Sequence, residues 1–342
     1  MLREPDFQKG RRMNKSISLT KILAAMIVSA AASASFADEP DPAPDGTFSF
    51  VVLPDTQAYV TENKAFYFES EVDWILQNQQ RQRIVFVSHV GDIINKYGAD
   101  SEWAIARRTM LRLSGKIPFG FSVGNHDMLS SGESRKFQET FPAALFENSP
   151  WYGGQIKNNA NSFQLVSAGG MDFLILHLEC NAPDEVLKWA DSVLEQHADR
   201  RAMITTHMYL GPRGRPQKSQ DYFDAPKGRM RWHKTHGKSG NTPQQMWDKC
   251  FSRHGNLFLI CCGDQSRTQA MHRTVNGVHN NPVHECLSDY RGGYFRICRF
   301  NPQKNQISVM TYSASQKKLC DGTSIVDDES QHQFVLKYDM TR

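Results

Sequence analysis

From residue 47 onward, short apolar runs alternate with amphipathic stretches. TFSFVVLP (47–54) reads as a strand closing at Asp55, a helix is expected around residues 64–81, and RIVFVSHV (83–90) reads as a second strand ending at Asp92. SEWAIARRTMLRLSG (101–115) has helical periodicity with Ser101 as its N-cap, and IPFGFSV (117–123) runs as a third strand into Gly124. Strands separated by helices at this spacing predict βαβ units and a parallel sheet core.

The second half changes character. NSFQLVSAGGMDFLILHLE predicts a hairpin turned at Gly169-Gly170, and DEVLKWADSVLEQHAD an amphipathic helix. RAMITTHMY and NLFLICCGD read as strands ending near His207 and at Asp264, and GGYFRICRFNPQKNQISVMTYS as a hairpin turned near Asn301-Pro302. β-rich pieces flanking a βαβ core imply two packed sheets covered by helices.

Composition changes the picture mainly at the N-terminus. Lys15 and Lys21 precede the largely apolar run ILAAMIVSAAASA, and small residues follow up to Ala37, the pattern of a cleaved signal peptide over residues 1–37. Export to the periplasm or the extracellular space is therefore expected. No Cys lies near the cleavage site, so neither a lipid anchor nor a transmembrane anchor after cleavage is expected. Residues 38–46 (DEPDPAPDG) read as a linker and residues 47–342 as one catalytic domain. The 342-residue chain holds 40 Lys/Arg and 36 Asp/Glu; residues 1–37 hold six and two of these, so the remainder is balanced. Nothing global then points to nucleic-acid or membrane-surface binding. Seven Cys fall between Cys180 and Cys320 without CxxC spacing, and Cys261-Cys262 read as buried small hydrophobes. Oligomeric state is not legible.

The chemistry lies in position. Asp55, Asp92, Asn125, His207 and Asp264 each stand at the C-terminal end of an expected strand, the edge where open α/β sheets bind ligands. A carboxylate closing an apolar strand is costly unless something pairs it. Five polar termini on one edge therefore imply a cation.

The motifs Asp55-Thr-Gln57, Gly91-Asp92-Ile-Ile-Asn95, Gly124-Asn125-His126-Asp127 and the lone His207 resemble, in order and spacing, the calcineurin-like metallophosphoesterase superfamily over nearly all of residues 47–315. LPDTQ resembles a bacterial branch of it. The resemblance implies a four-layer α/β/β/α sandwich of two mixed sheets flanked by helices. It also implies hydrolysis of a phosphomonoester or phosphodiester, a small phosphorylated substrate, by a metal-activated hydroxide. Asp92 would bridge two divalent metal ions roughly 3.5–4 Å apart. Asp55 and Gln57 would bind the first ion, and Asn125, His207 and Asp264 the second. His126 would stabilise the phosphoryl group or protonate the leaving oxygen, oriented by Asp127.

The sequence departs from that family at Gln57 and at Gly263-Asp264-Gln265-Ser266, where His residues are usual. The oxygen-rich set favours Mn²⁺, Mg²⁺ or Fe over Zn²⁺. Asn95 stands where purple-type acid phosphatases place a Tyr, so a tyrosinate–iron site is not expected. The departures motivate a rival reading, a binding module without turnover. His284 reads as a strand His, His177 as core, and His89 as a supporting residue behind the ligands. The basic insertion at 211–240 carries eight Lys/Arg against two Asp, and Arg213, Arg215 and Arg231 are candidate substrate forks in a lid.

Overall fold

The computed structural model describes residues 39–211 and 235–341. Fourteen strands form two seven-stranded sheets among these residues. The first sheet is built on β1 (Phe48–Leu53), β2 (Ile84–His89) and β3 (Phe119–Phe121), which are mutually parallel. β11 (Tyr294–Asn301) joins β1 antiparallel; β12 (Gln306–Ser313) follows it, flanked by β13 (Lys318–Leu319) and β14 (Gln333–Lys337). The second sheet runs β4 (Tyr152–Ile156), β5 (Asn161–Ala168), β6 (Met171–His177), β7 (Arg201–Thr205), β8 (Leu257–Cys262), β10 (Pro282–Ser288) and β9 (Ala270–Asn276). Within it β6, β7, β8 and β10 are parallel.

The period-two alternation of β1 decides which sheet face meets which layer. Phe48, Phe50 and Val52 pack with Phe173, Met203, Leu259 and Phe300 between the sheets, whereas Val51 and Leu53 pack outward against α1 (Ala65–Gln77) and α2 (Asp100–Met110). α1 presents Ala65, Phe68, Val72 and Ile75 at helical spacing to that face. α4 (Asp184–Gln196) buries Val186, Leu187, Ala190, Val193 and Leu194 on the second sheet, joined by the short helix Pro243–Lys249. A short helix, α3 (Arg135–Thr140), follows β3. Helix, sheet, sheet, helix is the layering expected from the sequence.

Four expectations are corrected. Ser101 is not an N-cap, because α2 starts after Ala99 and Ser101 lies inside it; Glu102 instead accepts the backbone N–H of Asn95 (2.7 Å) and Lys96 (2.8 Å). Residues 39–46 do not behave as a free linker: Ala43 is buried and donates its N–H to Arg81 O, and Arg299 Nη2 donates to Asp41 O at 2.7 Å. The helix expected to 81 ends at Gln77. Strands β4, β9, β13 and β14 were not anticipated. The signal peptide expected over residues 1–37 and Arg213, Arg215 and Arg231 of the basic insertion lie outside the described residues.

The aromatic seam between the sheets carries a stability prediction. Phe173 meets Phe50 edge-on at 5.2 Å and Phe300 at 5.6 Å, with no exposure. Phe173→Ala should lower the unfolding free energy by about 3–5 kcal/mol in urea titration. A loss below roughly 1 kcal/mol would show that this seam does not hold the sheets together.

Candidate metal centre

The parallel strands of both sheets deliver their C-terminal ends to one edge. Asp55 lies two residues beyond β1, Asp92 three beyond β2, and Gly124–Asp127 just beyond β3; His207 and Asp264 each lie two residues beyond β7 and β8. Asp55 and Asp92 are 1% exposed and His207 is fully buried. One ligand atom from each of Asp55, Asp92 and His207 falls within 4.8 Å of the others.

The approach is close enough to dictate glycine. A Cβ on Gly124 would overlap Asp92 N and Oδ1, and one on Gly263 would overlap Asp55 Oδ1. Asp92 (φ 51°) and Asp264 (φ 66°) both hold left-handed backbone, a conformation costing non-glycine residues energy and concentrated at functional sites. The Gly-Asp pairs of the motifs are thus steric as well as chemical requirements.

Asp92 is the hub. Its Oδ1 accepts the backbone N–H of His126 at 2.9 Å and lies 3.1 Å from His207 Nε2. His207 Nδ1 donates to Val90 O at 2.9 Å, leaving Nε2 turned to the carboxylates. Asp264 N donates to Asp55 Oδ2 at 3.1 Å, and Asp264 Oδ1 lies 3.8 Å from His207 Nε2. Yet Asp55 Oδ1 and His207 Nε2, both buried, make no hydrogen bond among the described residues. Two buried polar atoms without partners, one a carboxylate oxygen and one an imidazole nitrogen, beside further carboxylates are a donor set for a hard or borderline divalent cation. The residues present fit the metal that the sequence implied.

Charge crowding shows in the titration of these groups. Burial, then Asp289, Asp92 and Asp264, pushes the Asp55 carboxyl well above the usual range. Burial opposes charge on His207, but Asp92 and Asp264 more than offset it and raise its pKa to about 9. Burial likewise opposes charge on Asp92, but His207 and then His126 lower its pKa.

Gln57 stands at the cluster, its amide Nε2 donating to Asp92 Oδ2 at 2.8 Å. One role expected from the sequence is corrected. Asp127 does not orient the His126 ring. Its oxygens accept Gly124 N (2.8 Å) and Ile94 N (3.1 Å), bracing the two motif loops, while His126 Nδ1 donates to Asn95 O at 2.6 Å. Asn125 is half-buried in the same turn. His89 is a buried support behind the ligands, contacting Thr56 Oγ1 (3.2 Å) and accepting Gly91 N (3.1 Å). His284 is a strand residue, paired with Thr274 and with Lys337 O. His177 is core, bound to Ser88 and Gln164 at 2.8 Å each.

A cleft of about 530 Å³ opens on the cluster, walled by Gln57, Thr61, Lys64, Asn95, His126, Ser266, Tyr290 and Arg291, with Asp55, Asp92, Asp264 and Asp289 at its base. A larger cleft of about 790 Å³ around Lys157, His236 and Lys249 shares no residue with it. The sequence reading missed Asp289, Lys64 and Arg291. No comparable signal marked Asp289, because β10 before it, PVHECLS, carries His284 and Glu285 and is not an apolar run.

His207 keeps its proton to about pH 9 when folded but only to roughly pH 6.5 when unfolded. The folded state therefore binds more protons across that window, and the stability contributed by the charged imidazole is lost as pH rises through it. Metal-free protein should show a falling thermal midpoint between pH 6.5 and 9, and His207→Gln should flatten the fall. A flat wild-type profile would remove the His207–Asp92 charge pair as a stabilising element.

No family model matches the chain. An uncharacterised protein of Bacillus subtilis strain 168, YvnB, is 29% identical over 289 residues, 81% of this chain, and the chain spans about 20% of that relative's length. Among solved structures, the purple acid phosphatase PPD1 from yellow lupin (Lupinus luteus) seeds superposes with a TM-score of 0.54 at 13% identity, covering 88% of this chain and 56% of the phosphatase. The two mixed seven-stranded sheets, their flanking helices and this superposition together show that the chain has a layered α/β fold resembling that of this metallophosphoesterase.

Proposed function

We propose that the chain is an exported, metal-dependent phosphoesterase that hydrolyses a phosphomonoester or phosphodiester in the cleft above Asp92. The observation that carries this reading is the buried Asp55 Oδ1, without a hydrogen-bond partner among the described residues, set with His207 Nε2 against Asp92 and Asp264 at the strand-end edge. The similarity to a purple acid phosphatase supports phosphoester chemistry. Export rests on the sequence of residues 1–37 alone.

Two divalent cations held by Asp55, Asp92, Asp264 and His207, with Asn125 beside them, would supply Lewis acidity toward a phosphoryl oxygen and lower the pKa of water. The chain's own groups do the rest. Asn95 O can only accept, so His126 Nδ1 carries a proton and Nε2 is the nitrogen free to exchange one. Nε2 lies at the cleft wall, 3.9 Å from Asp92 Oδ2, where a protonated imidazole can stabilise phosphoryl charge or deliver a proton to the leaving oxygen. Gln57 holds Asp92 in orientation from the opposite oxygen. Lys64 and Arg291 at the wall supply positive charge for an anionic ester, a role that Arg213, Arg215 and Arg231 would share if the basic insertion closes over the site.

Metal content by elemental analysis, with turnover of a generic monoester and a diester, tests the reading. Wild type reconstituted with Mn²⁺, Mg²⁺ or Fe²⁺ should hold about two ions per chain and turn over at least one ester class. Asp92→Asn should lose both. His126→Ala should keep its metal while kcat falls by about 10²–10⁴. Absence of metal and of turnover in the wild type would favour a binding module on this fold.

A further inference from the structure

We infer that Asp289 is a further ligand of this centre, supplying on the Asp55 side a donor that Gly263-Asp264-Gln265-Ser266 does not. This inference rests on the metal-dependent reading above. β8 and β10 are parallel neighbours in register, with Leu287 opposite Cys262. Asp264 and Asp289 each stand two residues beyond those positions, so the two strands leave the sheet with carboxylates side by side at the same edge. Asp289 is 4% exposed and lies at the base of the cleft with Asp55, Asp92 and Asp264.

A structural role does not account for that carboxylate. The loop is held by other groups: Asp289 N donates to Gln269 O at 2.8 Å, and the Tyr290 hydroxyl meets His332 Nδ1 at 2.6 Å. Asp55, Asp92 and Asp264 line the same cleft as Asp289, so like charges face it there. Burying a fourth carboxylate in such company is unfavourable unless a cation sits among them. Asp55 Oδ1, buried without a hydrogen-bond partner among the described residues, independently marks where that cation is expected.

The test is Mn²⁺ binding by isothermal titration calorimetry to metal-free wild type, Asp289→Asn and Asp289→Ser, with Asp73→Asn as a surface control and thermal midpoints of every metal-free protein. Wild type and Asp73→Asn should bind two ions. Both Asp289 variants should bind one of the two at least ten-fold more weakly, and their metal-free midpoints should stay level or rise as a repulsive charge is removed. Wild-type stoichiometry and affinity in both variants would overturn the role of Asp289 and leave the metal centre standing. Lowered metal-free midpoints in both would make Asp289 a structural partner of Asp55 and overturn the inference as well. A wild type that binds no Mn²⁺ would instead remove the metal-dependent reading itself.

Discussion

Carboxylates repel, and this fold buries four of them around one imidazole. Asp55, Asp92, Asp264 and Asp289 are brought inward by strands from two different sheets, and His207 lies among them, its Nε2 3.1 Å from Asp92 Oδ1. The rest of the edge is arranged to make that crowding possible. Gly124 and Gly263 give up their side chains so that Asp92 and Asp55 can approach, and Asp92 and Asp264 accept left-handed backbone to turn inward. Backbone N–H groups of His126 and Asp264 and the amide of Gln57 supply the nearest hydrogen bonds. Such an arrangement holds together best around a positive charge, which is why the chemistry and the local backbone point to the same conclusion.

That edge needs two sheets held in fixed register, since Asp92 comes from one and His207 from the other. Below the centre the sheets are joined by a polar node in which Ser88 meets His177 and Thr205 at 2.8 Å each, and His177 is held by Gln164. Burial, then His89, lowers the pKa of His177 to about 3, so this node stays neutral at ordinary pH. Farther from the edge the contact is the apolar seam of Phe50, Phe173 and Phe300. Polar bonds near the centre specify alignment, while the aromatic seam contributes most of the burial.

The motif spacing made much of the site legible, because Asp55, Asp92, His207 and Asp264 each follow an apolar run that can only be a buried strand. Asp289 does not: β10 carries His284 and Glu285, begins at Pro282 after a turn rich in Asn, and pairs in parallel with β8. No local signal tells a reader that HECLSD lies beside LICCGD. The role of Asp127 was not legible for a related reason. Residue type says what a side chain can donate or accept, whereas partner choice depends on loops that meet only in the fold, as Asn95 O meets His126 and Ile94 N meets Asp127.

The sequence by itself determined the layered α/β architecture and most of the acidic edge, through periodicities of 2 and 3.6 and the polar residue closing each apolar run. Those are local properties, set by which face of each element must leave water. Only the tertiary structure decided which carboxylates share one pocket, which atoms are left without partners, and that the strand carrying Asp289 delivers it next to Asp264. Those depend on strand order and register between segments far apart in the chain, and no short stretch of sequence encodes them.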